Sequence, residues 1–532
     1  MKRKIFASFL YLSSVNGQTF SQEPAIIWKR GSLTLTMNDF NSWQLTSPPP
    51  ILAMIHYKKD SNAESIFKSH PGYILTKEDA NKTYGFALIR VANSYQISRL
   101  AEIAHEREGC GQIEIIDPNF TLIEYDQKPA SFLYHPRVYL ESVKNLLVAD
   151  EKNLESTIST LSSLVNRKHH TEEGKQAANL VRSLFEDAGS NADNFSVSLY
   201  SHTLTDQQSV IGAFSGSEDD RATIIIGAHL DSIAQGNIAP GADDDASGIA
   251  ALVEAITILA KNGDCCRRRV EFHGYAAEEI GLIGSSEIAE SYQKEQRHVI
   301  AMLQLDMMGY SAVPNDTTIY LIKDDTNTDL RRTLMDLLIT YSGGNFAQGH
   351  LPSGATSDHR SWHIRGIPAV FPFENPELYN KKIHTPYDTI DQLNTFPLAQ
   401  RITNLAIAFI AHIAGIRDTQ EIYNEKRSEI FPESLSNDLK IALFSTDSPS
   451  SYQVAIATPK KILNVEACII ADAHSDVCLK ERLTFNQADE RDHRHIFTLP
   501  TNLTITDSLN FRVFGYDNQG SLAAIRHVSL SP

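Results

Sequence analysis

ATIIIGAHLDS (222–232) opens as a run of β-branched apolar residues and closes on a histidine and an aspartate. An apolar run of this length, without polar alternation, suits a strand buried on both faces of a sheet. Working outward, RRVEFHGY (268–275), VIAMLQL (299–305), TIYLI (318–322) and PAVFPF (368–373) read as further strands. Helical spacing lies around them. Residues 172–188 put Leu180, Val181, Leu184 and Phe185 on one face and stop at Gly189. Ser247 is predicted to cap a helix carrying Ile249, Leu252, Val253, Ile256 and Leu259, which Gly263 ends. Further helices are expected near 281–295, 327–342 and 397–414. Strands alternating with helices predict an α/β domain over about 139–417, with a mainly parallel central sheet flanked by helices.

In an open α/β sheet the site lies beyond the carboxyl ends of the strands. His229 and Asp231 follow the first run, Glu278 and Glu279 follow 268–275, and Asp306 follows 299–305. Asp243, Asp244 and Asp245 arrive just before a helix, in APGADDDASGIA (239–250). Taken singly, each has an ordinary explanation: a hydrogen-bonded histidine, a helix cap, a solvated pair of glutamates. Delivered together to one sheet edge, the carboxylates would repel each other and shift their pKa values strongly. Divalent cations remove that penalty. Histidine and carboxylate ligands with few thiols suit zinc. A carboxylate bridging two metals about 3.5–4 Å apart is the two-metal hydrolase arrangement.

Six ordered motifs carry a family resemblance: GAHLDS (227–232), APGADDDASG (239–248), YAAEEIGL (275–282), LQLDM (303–307), SDHRSW (357–362) and IHTPYDT (383–389). They resemble the M28 family of zinc aminopeptidases, above all its secreted bacterial leucyl members of the Vibrio and Aeromonas type. NRKHHTEEG (166–174) resembles the start of that catalytic domain. The resemblance implies two zinc ions. It makes Asp244 their bridge, gives His229 and Asp306 to one ion and Glu279 and His384 to the other, and makes Glu278 the general base. It puts Asp231 behind His229 and Ser357 behind His384. The implied substrates are peptides with a free N-terminus, with Leu-like or other apolar first residues. One departure stands out. The family's Cys-Gly-Tyr-Ala-Cys segment is replaced by Pro352–Thr356, so its disulfide and its oxyanion tyrosine are missing; either another donor (Tyr387 or a backbone N–H) substitutes, or turnover is slower.

The rest of the chain adds context. A length of 532 residues calls for two or three domains, and a net charge of −17 argues against a nucleic-acid partner. No apolar run approaches the roughly 20 residues of a membrane span. Lys2, Arg3 and Lys4 before IFASFLYL (5–12), with the small Val15 and Gly17, predict a signal peptide over residues 1–20 and a secreted protein, periplasmic in transit. Residues 21–138 hold the strand-like runs ILAMIHY, GYIL, GFALIRV and QIEII. They are read either as a pro-region that chaperones or masks the next domain or as a plain structural domain. Residues 418–532, with short alternating strands, predict a small β-sandwich. Of the five cysteines, Cys468 and Cys478 could pair, whereas the adjacent Cys265 and Cys266 are expected to stay apart. A monomer is expected. The competing readings are a carboxypeptidase or other amidase, in which Arg360 or Lys381 would hold a substrate carboxylate, and a non-catalytic binding module.

Overall fold

The computed structural model describes residues 141–416 apart from 218, 263–264 and 353–354, together with elements between 26 and 116 and strands between 440 and 530. The expected signal peptide and the side chains of Cys110, Cys468 and Cys478 lie outside the described residues.

The N-terminal part begins with an antiparallel pair, β1 (Ile26–Arg30) and β2 (Leu33–Thr36). It continues as β3 (Ile51–Lys58), α1 (Asn62–Ser69), β4 (Tyr73–Glu78), β5 (Tyr84–Val91), α2 (Ser94–Ala104) and β6 (Gln112–Ile116). The four strands of this unit form an antiparallel sheet in the order β4-β5-β3-β6. Period-2 side-chain alternation puts Ala53 and Ile55 beside Ile115 and Ile113 on one face, where they share a core with Phe67 of α1 and Ile97 and Leu100 of α2. β6 is an edge strand of this sheet.

The central part runs α3 (Glu141–Lys144), α4 (Glu151–Ser162), α5 (Glu172–Gly189), β7 (Phe195–Tyr200), β8 (Ser209–Phe214), β9 (Asp219–His229), α6 (Ala246–Asn262), β10 (Arg268–Tyr275), α7 (Ile283–Lys294) and β11 (His298–Gln304). It continues with β12 (Ile319–Ile322), α8 (Thr328–Ser342), β13 (Phe346–Gly349), α9 (His359–His363), β14 (Ala369–Val370), β15 (Pro372–Phe373) and α10 (Phe396–Ile410). Six strands form the main sheet in the order β14-β11-β9-β10-β8-β7. The first four are mutually parallel, whereas β8 and β7 pair antiparallel at one edge. Sequence reading missed both of these strands. FSVSLY carries only a partial inward pattern, and β8 is buried along its whole length. TIYLI and the end of PAVFPF leave the main sheet for a small one, β13-β12-β15.

Local chemistry explains several boundaries. Thr171 caps α5 by accepting from Gly174 N at 3.0 Å. The cap of α6 is Asp245, whose Oδ1 accepts from Gly248 N at 2.8 Å. Ser247 instead lies inside the helix and donates to the Asp243 carbonyl. An aspartate one residue ahead of the first helical turn was available, and it took the cap. α10 continues into one π-helical turn (Ala411–Gly415) and, among the described residues, is the helix long and apolar enough to cross a membrane. It is 83% buried and packs against α4, α6 and α8, as a core helix does.

Cys265 and Cys266 are bonded to each other, contrary to expectation. They sit where the chain enters β10, with Cys265 bridged to Ile416 and the Cys266 carbonyl accepting from Ser217 N. Both cysteines are buried at this corner. The C-terminal strands β16 (Lys440–Ser445), β17 (Tyr452–Ala457), β18 (Asn464–Ile470), β19 (Cys478–Lys480), β20 (Thr484–Asp489), β21 (Arg494–Thr498), β22 (Leu509–Tyr516) and β23 (Leu522–Leu530) form two four-stranded antiparallel sheets, β16-β17-β21-β20 and β19-β18-β22-β23.

Candidate metal centre

The register of three parallel strands builds the site. β9 lies between β10 and β11, with His229 opposite Tyr275 and Gly227 opposite Gln304. His229, the turn after Tyr275 and Asp306 therefore leave the sheet at one level. The loop before α6 and the segment ending at His384 close over that edge. The structure brings together two sets of ligand atoms, each lying within 4.8 Å of one another: His229, Asp244 and Asp306, and Asp244, Glu279 and His384. Asp244 belongs to both. Its Oδ1 is 2.9 Å from His229 Nε2 and its Oδ2 is 2.9 Å from His384 Nε2. His384 Nε2 is also 3.1 Å from Glu279 Oε2. Glu278 belongs to neither set and stands 4.0 Å from His229 Nε2 through Oε2.

The aspartate triplet divides its labour. Asp245 ties the start of α6 to the end of β9, accepting from Gly248 N and, at 3.0 Å, from His229 N. Asp243 accepts from Gly309 N at 2.9 Å and from Asn380 Nδ2 at 3.0 Å. The outer two are committed to backbone and amide groups, which leaves the middle one to face the cavity. Gly248 is required here: a Cβ would stand 2.3 Å from the Leu305 carbonyl, so only glycine lets α6 begin against the end of β11.

Asp231 does more than sequence reading assigned it. Its Oδ1 is 3.4 Å from His229 Nδ1, and its two oxygens accept from the backbone N–H groups of Glu278 (2.9 Å) and Glu279 (3.2 Å). One carboxylate thus fixes both glutamates and flanks the histidine. Ser357 was expected beside His384. It stands on Asp306 instead, donating to Oδ2 at 2.7 Å while accepting from Gln304. Position explains this, because Ser357 precedes α9, which packs beside β11, the strand that delivers Asp306.

Sequence reading also missed several supports. Asp388 accepts from Asp243 N and Asp244 N, both at 3.1 Å. Glu374 holds Asn380 N at 2.7 Å and Tyr310 N at 3.2 Å. Arg167, only 1% exposed, donates to the carbonyls of Leu230, Pro240 and Gly241 on both sides of the loop between His229 and the triplet. Asp388 lies in IHTPYDT (383–389) and Arg167 in NRKHHTEEG (166–174), so residue type and place are visible in the sequence. Their partners are backbone atoms, which no spacing reveals.

Electrostatics show what kind of group the site suits. Burial pushes the Glu278 carboxyl well above the ordinary range and the Glu279 carboxyl upward, and it raises Asp306 to about 7. Asp244 is also buried, yet His229 and His384 hold it below the usual carboxylate range. Both histidines are drawn upward in spite of burial, His229 by Asp231 and Asp244 and His384 by Glu279 and Asp244. Neither ring nitrogen of His229 has an aligned hydrogen bond, nor has Glu279 Oε1 or Asp306 Oδ1. Buried acceptors without donors cost free energy. Divalent cations, which need several lone pairs and carry positive charge, fit this donor set. Strain points the same way. Ala277, Met307 and His384 are non-glycine residues with φ of 53°, 55° and 57°, and each is a site residue or adjoins one. Such conformations cost about 1–3 kcal/mol each and persist where surrounding structure over-determines them.

The cavity over these groups has a volume of about 60 Å³. Asp244, Glu278, Glu279, Asp306 and His384 form its polar wall. Ile113, Met307, Leu351, Phe371, Phe373, Tyr379 and Ile383 form an apolar wall, with Pro352, Ala355 and Thr356 alongside. Tyr387, considered as an oxyanion donor, is 68% exposed and stands outside the lining. Arg360, considered as a carboxylate anchor, is buried in ion pairs with Glu114 (3.0 Å) and Asp325 (2.8 Å). Lys381 lies over the Tyr379 ring.

Residues 209–410 match the pattern of peptidase family M28. Leucine aminopeptidase 1 of Pyrenophora tritici-repentis is 34% identical over 314 residues, covering 55% of this chain and 76% of that protein. A probable aminopeptidase of Saccharomyces cerevisiae is 30% identical, covering 52% and 75% respectively. Among solved structures, the LapA aminopeptidase of Legionella pneumophila superposes with a TM-score of 0.57 at 27% identity, over 69% of this chain and 99% of that one. A relative 34% identical, matched over 76% of its own length, agrees with the family pattern laid over this sheet and its helices, and the chain belongs to peptidase family M28.

Proposed function

We propose that this chain is an exported aminopeptidase that hydrolyses the N-terminal residue of peptides, preferring Leu-like or other apolar residues, with two zinc ions. The observation that carries the reading is the sharing of Asp244 by two three-ligand sets. His229, Asp244 and Asp306 would hold one ion, and Asp244, Glu279 and His384 the other. The names of the relatives support the reaction class. When bound, the zinc pair supplies Lewis acidity, lowering the pKa of water and polarising the scissile carbonyl. Glu278 accepts the proton of the attacking water and later delivers it to the leaving amine. The oxyanion donor is left to backbone or to a lining residue, since Tyr387 stands outside the cavity.

Substrate placement follows from the two walls. The free α-ammonium faces Asp244 and Glu279, and an apolar side chain faces Met307, Phe371, Phe373 and Ile383. A carboxypeptidase would need a cation free for the substrate carboxylate, and Arg360 is held by two acids. Export rests on Lys2–Lys4 and residues 5–12, and the two C-terminal sheets are read as the layers of a sandwich on a monomeric enzyme.

The test is chromophore release from Leu-, Lys- and Met-anilides, with N-acetylated versions as controls. Release from the free amines alone is expected, and equal cleavage of the blocked compounds would overturn the aminopeptidase reading. The mass of the N-terminus of the exported protein reads out cleavage after about residue 20.

A further inference from the structure

We infer that the N-terminal four-stranded unit is a resident part of the substrate pocket, with Ile113 of β6 setting the size of side chain accepted; this rests on the aminopeptidase reading above. Among the described residues lining the cavity, Ile113 alone lies outside the stretch 209–410 that carries the family pattern. It is 3% exposed and occupies the same cavity as Glu278, Glu279 and His384.

The way β6 is held argues that Ile113 stays there. Its edge meets the turn that carries both glutamates. A Cβ placed on Gly281 would stand 3.2 Å from Ile115 Cγ1 and 3.5 Å from the Ile113 carbonyl. Gly281 also has a φ of +120°, which glycine alone adopts without strain, so this turn is shaped to the strand. Ile113 shares a continuous core with Ala277, Ile280 and Ile283, the residues that flank Glu278 and Glu279. On the strand's other face, Glu114 reaches Arg360 of α9. α2 adds a buried polar pair, Ser98 with His169 at 2.5 Å, and a partly buried ion pair, Glu102 with Lys168 at 2.9 Å. An interface that merges apolar cores and buries an ion pair resembles the interior of a domain, not a detachable cover. Withdrawing the unit would uncover Ile280 and Ile283, remove one acid from Arg360 and free the glutamate turn on one side.

A wall residue of this kind limits the substrate by volume. One methylene gained or lost in such a pocket changes kcat/KM by about tenfold or more. The experiment uses the full chain, as wild type, Ile113→Ala and Ile113→Phe, with Ala-, Leu- and Phe-anilides. The ratio of kcat/KM between substrates is taken within each variant, so a general loss of activity cancels. Ile113→Ala is expected to shift the Phe/Leu ratio upward by about tenfold, and Ile113→Phe to shift the Leu/Ala ratio downward by about tenfold. Ile113→Val replaces the phenylalanine variant if thermal melting shows that variant unfolded, with a smaller shift towards larger side chains expected. Unchanged ratios in folded variants would overturn the inference. So would an intact mass showing that the active species lacks residues 51–116. A wild type that cleaves no free-amine anilide is a distinct result, and it defeats the aminopeptidase reading itself.

Discussion

The two walls of the cavity were built in different ways. The polar wall comes from strand ends and the loops beside them, and its carboxylates are pinned by buried hydrogen bonds: Asp231 accepts from the backbone of Glu278 and Glu279, Asp388 accepts from that of Asp244, and Ser357 donates to Asp306. The apolar wall is gathered from separate segments at 113, 307, 351, 371–373 and 379–383, whose side chains meet around the cavity. Hydrogen bonds fix a direction, whereas packing fixes a volume. Chemistry is thus placed by the first wall and selectivity by the second.

Substitutions on the two walls are expected to sort accordingly. The largest effect is expected from Glu278→Gln, a drop in kcat of about 10²–10⁴-fold with zinc content held at about two per chain. Loss of metal in step with activity would instead make Glu278 a ligand. Next is Asp388→Ala, which removes the acceptor under the backbone of Asp243 and Asp244. Zinc affinity, measured by competition with a chromogenic chelator, should weaken about 10–100-fold, while side-chain preference stays as it was. A smaller and opposite pattern is expected for Phe373→Ala on the apolar wall: the Leu/Ala ratio of kcat/KM falls about tenfold and zinc affinity does not move. Loss of metal in that variant would join the two walls into one unit.

The smallest effect serves as a control far from both walls. His412, in the π turn after α10, is lowered to about 3 by burial, and Tyr341 Oη lies 2.7 Å from its Nε2. A buried neutral histidine has a folded pKa below its unfolded value near 6.5. The unfolded chain therefore binds the extra proton between about pH 6.5 and 3, so this stability is complete above 6.5 and drains away as pH falls through that window. Melting at about pH 7.5 and pH 5 should show a larger loss for the wild type than for His412→Gln. An equal loss in both would remove His412 from the acid sensitivity of the fold.

The same contrast governs what could be read from the sequence. The parallel strands β9, β10 and β11 were legible because burial on both faces leaves unbroken apolar runs, and their ends named His229, the glutamate pair and Asp306. β7 and β8 escaped because Ser196 and Ser198 interrupt one strand and Gly212 thins the pattern of the other. Asp244 stood out within a triplet only by resemblance; the structure supplies the reason, since Asp243 and Asp245 are turned to backbone and amide donors. The motif contained Ser357, but only three-dimensional packing put it on Asp306. Ile113 had no signal at all, as one isoleucine in an alternating strand among many.

Arg167 carries a consequence for anyone cutting this chain. Its guanidinium binds carbonyls at 230, 240 and 241 from a position 63 to 74 residues upstream. The family pattern begins at residue 209. A fragment trimmed to that pattern would keep every candidate ligand and lose Arg167, along with Lys168, which donates to the carbonyls of Ala234 and Gly236 in the same loop. The smallest portable version of this site therefore has to start before residue 166, well ahead of where its recognisable motifs begin.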